Sequence, residues 1–235
     1  MSVVATPRNA LAFAEYDKIT GTSQGARNAS VRPGCGRTQA VRVTLDSLPP
    51  PFDLWNGAEL WVGPTSQVSE AGANVPPTPG FPNFNAARLQ CTPFYTDWSL
   101  LSTIHVFHEG IVPGGAYQIQ AIDDVCDLGV EAGVSDPLSM TTAIWGDTVR
   151  DLSVDPPPPP EGAINIDDAL AVLGRFSSVP GSIIKARADL EPACLDLKIN
   201  VTDVLASLAG FVGLNYPFTP TAADPCGSTC PNVLP

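Results

Sequence analysis

The sequence is short of lysine, of histidine and of long apolar runs, and each shortage closes off a class of function. Three lysines (Lys18, Lys185 and Lys198) and nine arginines stand against 24 acidic side chains, giving a net charge of −12 over 235 residues. Without a basic surplus the chain lacks the electrostatic footprint for nucleic acid or an anionic membrane. No stretch approaches the roughly 20 apolar residues of a membrane span. The two histidines, His105 and His108, fall three apart on a strand candidate and point to opposite faces, so they make poor joint metal ligands. No Cys-x2-Cys pair occurs, which removes the usual zinc patterns. The first residues, Met1 to Pro7, have neither the basic nor the apolar region of a secretory signal. An exported protein would have lost a leader ahead of them or begin further upstream.

What is present points outside the cytoplasm. Six cysteines (Cys35, Cys91, Cys126, Cys194, Cys226 and Cys230) accompany 25 prolines, and their even number suits up to three disulfides in an oxidising compartment. Cys226-x3-Cys230 lies in a Pro/Gly/Thr tail with no βαβ context, so it reads as a terminal staple rather than a redox pair. Charge is unevenly spread. Residues 1–42 carry six basic and two acidic groups, residues 43–150 two and twelve, and residues 151–235 four and ten. A basic leader on an acidic body is either a solvated tail or an arm suited to another copy's acidic surface.

The pattern before residue 150 is mostly β. Val41, Val43 and Leu45 alternate with polar residues, and short apolar runs recur at Leu60–Val62, Arg88–Thr92, Thr103–Phe107, Tyr117–Ile122 and Leu138–Trp145. Turn-rich segments separate them, which predicts an antiparallel β-sandwich. Ile111-Val-Pro-Gly-Gly-Ala-Tyr117 has the spacing of a tyrosine corner and resembles the Leu-x-Pro-Gly-x-x-Tyr stretch of fibronectin type III domains. That places Tyr117, Ile119 and Ala121 on one face. Cys91 and Cys126 each follow a candidate strand and are expected to bridge. Five prolines, Pro156 to Pro160, form a stiff spacer of about 15 Å. The division is then an arm (1–37), a sandwich (38–150), a proline-rich linker (151–160), a paired loop–helix module (161–217) and a Cys/Pro-rich tail (218–235).

Within the arm, Leu11 to Tyr16 is a short strand candidate followed by the polar stretch 21–30. Such a strand can complete its own sheet or be donated to a neighbour's edge. Gly21-Thr-Ser-Gln-Gly25 matches a nucleophile elbow, yet Ala26 to Pro33 is poor helix material and the α/β context is missing, so no catalytic residue is assigned. Asp123, Asp124 and Asp127 could bind a further cation or simply sit in solvent. Asn28-Ala-Ser30 and Asn200-Val-Thr202 are glycan sequons.

The strongest signal is a repeat. Glu161-Gly-Ala-Ile-Asn-Ile-Asp-Asp168 recurs as Asp196-Leu-Lys-Ile-Asn-Val-Thr-Asp203, and Leu170, Ala171, Leu173 and Phe176 recur as Leu205, Ala206, Leu208 and Phe211. An acidic loop, Ile-Asn-x-x-Asp and an apolar helix have the layout of an EF-hand-type calcium site. The repeat resembles dockerin type I modules. On that resemblance the second loop would bind calcium through Asp189, Glu191, Asp196, the Lys198 carbonyl, Asn200 and Asp203. The first would use Asp155, Glu161, the Ala163 carbonyl, Asn165 and Asp168. The second loop runs 15 residues from Asp189 to Asp203 where a standard loop has 12, and the first loses its early positions to the prolines. By ligand count, loss of Asp203 should hurt more than loss of Asp168. The simpler alternative is a helix pair whose Asp168 and Asp203 only cap helices.

A wider likeness takes in Arg8-Asn, Arg42-Val-Thr, Trp61-Val-Gly, Leu89-Gln-Cys91, Trp145-Gly-Asp and Lys185 to Pro192. These resemble secreted proteins of planctomycete-type bacteria that join a β-sandwich to a dockerin-like tail. The resemblance implies export and calcium, with no activity to carry over. The sequence thus predicts a non-enzymatic extracellular structural protein, stabilised by calcium and disulfides, that assembles with its own copies through the arm. The alternative is a docking protein or adhesin for a partner domain or a carbohydrate.

Overall fold

The computed structural model describes residues 4–5, 10–13, 38–69, 83–98, 104–124, 129, 131–154, 157–158, 160–191, 196 and 198–227. Arg8, Lys18, Arg27, Arg32, Arg37, the Gly21–Gly25 motif, Asn28, Asp127, Asp155 and four of the cysteines (Cys35, Cys126, Cys194 and Cys230) lie outside the described residues. The chain is mostly β. Nine strands come first: β1 Val4–Ala5, β2 Ala10–Phe13, β3 Thr38–Ser47, β4 Glu59–Ser69, β5 Asn83–Gln90, β6 Ile104–Phe107, β7 Ala116–Asp124, β8 Glu131–Val134 and β9 Leu138–Thr141. Three helices follow, α1 Ile166–Phe176, the single turn α2 Lys185–Ala188, and α3 Val201–Phe211. None of the described helices is long and apolar enough to cross a membrane.

The strands hydrogen-bond in the order β1-β2-β6-β5-β4-β3-β7-β8, and β9 pairs the other half of the β7 edge. The expectation of a wholly antiparallel arrangement needs correcting, because β5 and β6 run parallel. Residues 91–103 connect them, about the dozen that a parallel crossover needs. Alternation does the rest. Val41, Val43 and Leu45 on β3 and Tyr117, Ile119 and Ala121 on β7 are all buried in one apolar cluster with Leu60, Val62 and Trp55. The tyrosine corner is present. Val112 N donates to Tyr117 Oη at 2.7 Å, and the hydroxyl lies 3.2 Å from the carbonyls of Gly110 and Val112. Residue 115 must be glycine, since a Cβ there would collide with Tyr117 Oη.

A second apolar cluster joins Trp145 and Val149 to Ala171, Val172, Ile183, Ala188, Leu190 and Ala206. It starts upstream of the prolines, so residues 145–149 pack with the helices. The proline spacer does not stand clear of them either, because Arg187 Nη1 donates to the Pro157 and Pro158 carbonyls at 3.3 and 3.2 Å. The Tyr216 ring meets Phe52 at 6.0 Å and Trp145 at 6.1 Å, touching both clusters. Beyond it the tail returns to the sheet. Thr221 donates its N–H and its Oγ1 to the buried Glu109 carboxylate, and Cys226 is bonded to Cys91. That bond overturns the expected Cys91–Cys126 bridge and the Cys226–Cys230 staple. The tail comes back across the sheet and brings Cys226 to the end of β5, a long-range closure invisible in local spacing.

Candidate cation site in the paired loop–helix segments

Both Ile-Asn-x-x-Asp motifs start helices in the same way. Asn165 and Asn200 are extended N-caps, and their Oδ1 atoms accept from the N–H groups of Asp167 and Thr202 at 2.7 Å. Asp168 and Asp203, three residues on, return the bond. Asp168 Oδ2 accepts from Asn165 N at 2.8 Å, and Asp203 Oδ2 from Asn200 N at 2.9 Å. This reciprocal box satisfies donors that a helix start would otherwise leave open.

The other carboxylate oxygen of each aspartate reaches a distant strand of chain. Asp168 Oδ1 accepts from Thr148 N at 2.6 Å and Val149 N at 2.9 Å. Asp203 Oδ1 accepts from Leu190 N at 2.7 Å and Glu191 N at 2.9 Å. Both aspartates are fully buried. Each is therefore a clamp: a buried carboxylate on which backbone donors converge pins a preceding segment to the helix start. The capping alternative describes these two side chains, with a long-range grip that sequence spacing did not reveal.

The clamped pairs align the repeat further back than the motif does. Thr148-Val149 corresponds to Leu190-Glu191, so Asp147 corresponds to Asp189. Asp147 was missed by the sequence analysis, which placed Asp155 at the head of the first loop. It is buried, and its Oδ2 accepts from Gly162 N at 2.6 Å. Burial pushes its carboxyl up to about 6, and Asp168 and Glu161 nearby push the same way against the Gly162 and Glu161 N–H groups. Its Oδ1 is buried and accepts no hydrogen bond. The Trp145-Gly-Asp147 stretch was the available signal, hidden because the prolines lengthen the first repeat.

The remaining candidates are dispersed. Glu161 and Ala163 are exposed and Asn165 is half-buried at its cap. Asp189 is buried at the end of α2. Glu191 Oε2 accepts from Thr202 Oγ1 at 3.0 Å. Asp196 Oδ1 accepts from Lys198 N at 2.9 Å, and its Oδ2 lies 3.5 Å from Lys198 Nζ. Among the described residues no three His, Cys, Asp or Glu side chains gather as a metal cluster. The donor chemistry is all oxygen, as a hard cation requires, and among the described residues of the first loop Asp147 Oδ1 is a buried oxygen that accepts no hydrogen bond. Elsewhere, Asp123 Oδ1 accepts from Thr38 Oγ1 at 3.2 Å within the sheet. His105 and His108 are both buried, and desolvation lowers each to about 4, helped by Arg187 and Arg88 respectively. No protein-family model, no curated protein and no solved structure matches the chain.

Proposed function

We propose that the chain is a non-enzymatic extracellular structural subunit that assembles with copies of itself: a β-sandwich joined to a dockerin-like helical pair, stabilised by calcium and disulfides. The observation that carries the reading is the place of β2. It forms four register pairs with β6, Ala10 opposite Phe107 through Phe13 opposite Ile104, and it is joined to β3 through residues 14–37. A connection of that length reaches up to about 80 Å when extended. Within one copy β2 completes its own sheet, so donation to another copy's β6 takes the form of strand exchange rather than the filling of an empty edge. A repeated head-to-tail exchange that does not close into a ring yields a fibre. The basic arm and the acidic body favour that encounter over the wrong one.

Calcium would be held in the first loop by Asp147, Glu161, Asn165 and Asp168 with the Ala163 carbonyl. In the second it would be held by Asp189, Glu191, Asp196, Asn200 and Asp203 with the Lys198 carbonyl. Bound there, it would supply positive charge to the buried carboxylates of Asp147, Asp168, Asp189 and Asp203. The assembly reading is tested by electron microscopy of the native protein and of a variant lacking residues 1–20. Fibres from the full chain and a soluble protein that forms none from the deletion are expected, with assembly rates that fall with salt because exposed charges are screened within about 8 Å at physiological ionic strength. Unchanged fibres from the deletion variant sink the reading. A full chain that stays monomeric and captures another domain puts the docking alternative first.

A further inference from the structure

The two helices of the repeat are built inside out. Helix α3 buries Ala206, Ser207 and Gly210 and leaves Leu205, Leu208 and Phe211 outside. Helix α1 likewise buries Ala169, Ala171 and Val172 and leaves Leu170, Leu173 and Phe176 outside. Adding Ile166 and its counterpart Val201, each helix carries four large apolar residues at positions i, i+4, i+7 and i+10, which is one stripe of a helix. The α1 stripe is 42–52% exposed and the α3 stripe 39–57%. A surface helix normally turns this stripe inward and shows charge to water. Here neither helix shows an exposed charge: Asp168, Arg175 and Asp203 are buried and Asp167 is half-buried.

We propose that these stripes form a self-association face on which a second copy of this chain is seated, α1 of one copy against α3 of the other and the reverse. Three observations select a second copy. The stripes match residue for residue through the repeat, so each copy carries both halves of a reciprocal contact, as a two-fold interface requires. At about 200 Å² for a large apolar residue, eight residues 39–57% exposed leave on the order of 800 Å², about what each partner of a standard-size interface buries. And a groove of about 350 Å³ beside Leu170, bounded by Leu152, Val154 and Val179 to Ser182, is open to a knob. The proposed arrangement seats Phe211 of the second copy there, as an aromatic anchor in a pocket. The face is distinct from the β2–β6 edge and does not depend on strand exchange. Its salt response also has the opposite sign. The stripes are uncharged while each copy carries −12, so screening removes repulsion and strengthens this contact.

The test uses the full chain at several concentrations and two salt levels, by sedimentation velocity on the soluble fraction and by photo-crosslinking from position 211. A dimer that tightens with salt is expected, with crosslinks from 211 to the 152–182 groove of a second copy. Phe211→Gln and Leu170→Gln should each weaken it by at least about tenfold, and the double variant by less than the product, since the two side chains meet across the interface. All four proteins should keep the same circular dichroism, because the altered positions are exposed. A wild-type chain that is monomeric at about 0.1 mM overturns the proposal. So do variants that dimerise unchanged, crosslinks confined within one chain, or a monomer that captures a different protein through the stripes. Loss of fibres on deleting residues 1–20 bears only on the arm.

Discussion

The two repeats end on the same clamp but fasten different things. Asp203 grips Leu190 and Glu191, twelve to thirteen residues back, and so closes the helical pair upon itself. Asp168 grips Thr148 and Val149, nineteen to twenty residues back, on the segment that leaves the sheet. The first repeat absorbs a proline run between its two ends without losing the clamp geometry. What is held constant is the meeting of a buried carboxylate with two successive N–H groups, and loop length is free to vary around it. One clamp is thus internal, while the other ties the helices to the strand-bearing half.

Removing the clamps is the largest way to break that comparison. Asp168→Ala and Asp203→Ala each strand three backbone N–H groups, two of them buried at Asp168 and one at Asp203, and at about 1–3 kcal/mol for each buried unmet donor the loss should be roughly 2–5 kcal/mol. Asp168 also receives Thr148 Oγ1 at 3.3 Å, so its removal should cost at least as much as that of Asp203. That reverses the order expected from counting ligands. Denaturant unfolding of the two variants checks it, and Asp203→Ala proving much the worse would return priority to the ligand count.

Acid is the next lever, and it acts on the sheet rather than the helices. His105 and His108 are lowered to about 4 in the fold from about 6.5 unfolded, so their contribution is complete above pH 6.5 and is lost as pH falls toward 4. The limit is about 3 kcal/mol for each imidazole. Asp147, raised to about 6, works in the opposite sense and is most unfavourable above that pH. His108→Gln isolates one term: its unfolding midpoint should fall less between pH 6.5 and 4.5 than that of the parent. Equal slopes would remove the buried imidazole from the account.

Calcium is the smallest of the three effects and sharpens the comparison loop by loop. At a hundredfold excess over Kd, a cation bound only by the folded form adds about 2.7 kcal/mol. Thermal unfolding should therefore rise with calcium and fall with chelator, and calorimetry should register binding. Asp147→Asn should remove the first loop's share and spare the second's. Identical melting curves with and without calcium would leave both carboxylate sets as clamps alone.

Much of this was legible in the residues. The alternation at Val41, Val43 and Leu45, the corner at Tyr117 and the capping role of Asp168 and Asp203 stand where period, turn chemistry and capping put them, because each rests on near neighbours in sequence, although the N-caps themselves are Asn165 and Asn200. The parallel β5–β6 pair was not legible, since no local pattern records which edge a strand finally meets. Asp147 was hidden by a break in the repeat's own spacing. The exposure of the stripes at Leu170 and Leu205 was not legible either, since helical periodicity identifies an apolar face and says nothing about which side of the helix is packed.

The Cys91–Cys226 bond sets a mechanical limit on the molecule. It spans 135 residues and encloses β6 to β9, all three helices and both clamps in one covalent loop. A pull applied at points ahead of Cys91 and beyond Cys226 meets that bond before it reaches the enclosed elements. Between those points the tension runs across a single sulfur–sulfur bond. The enclosed loop can unfold, but it cannot be paid out as added length.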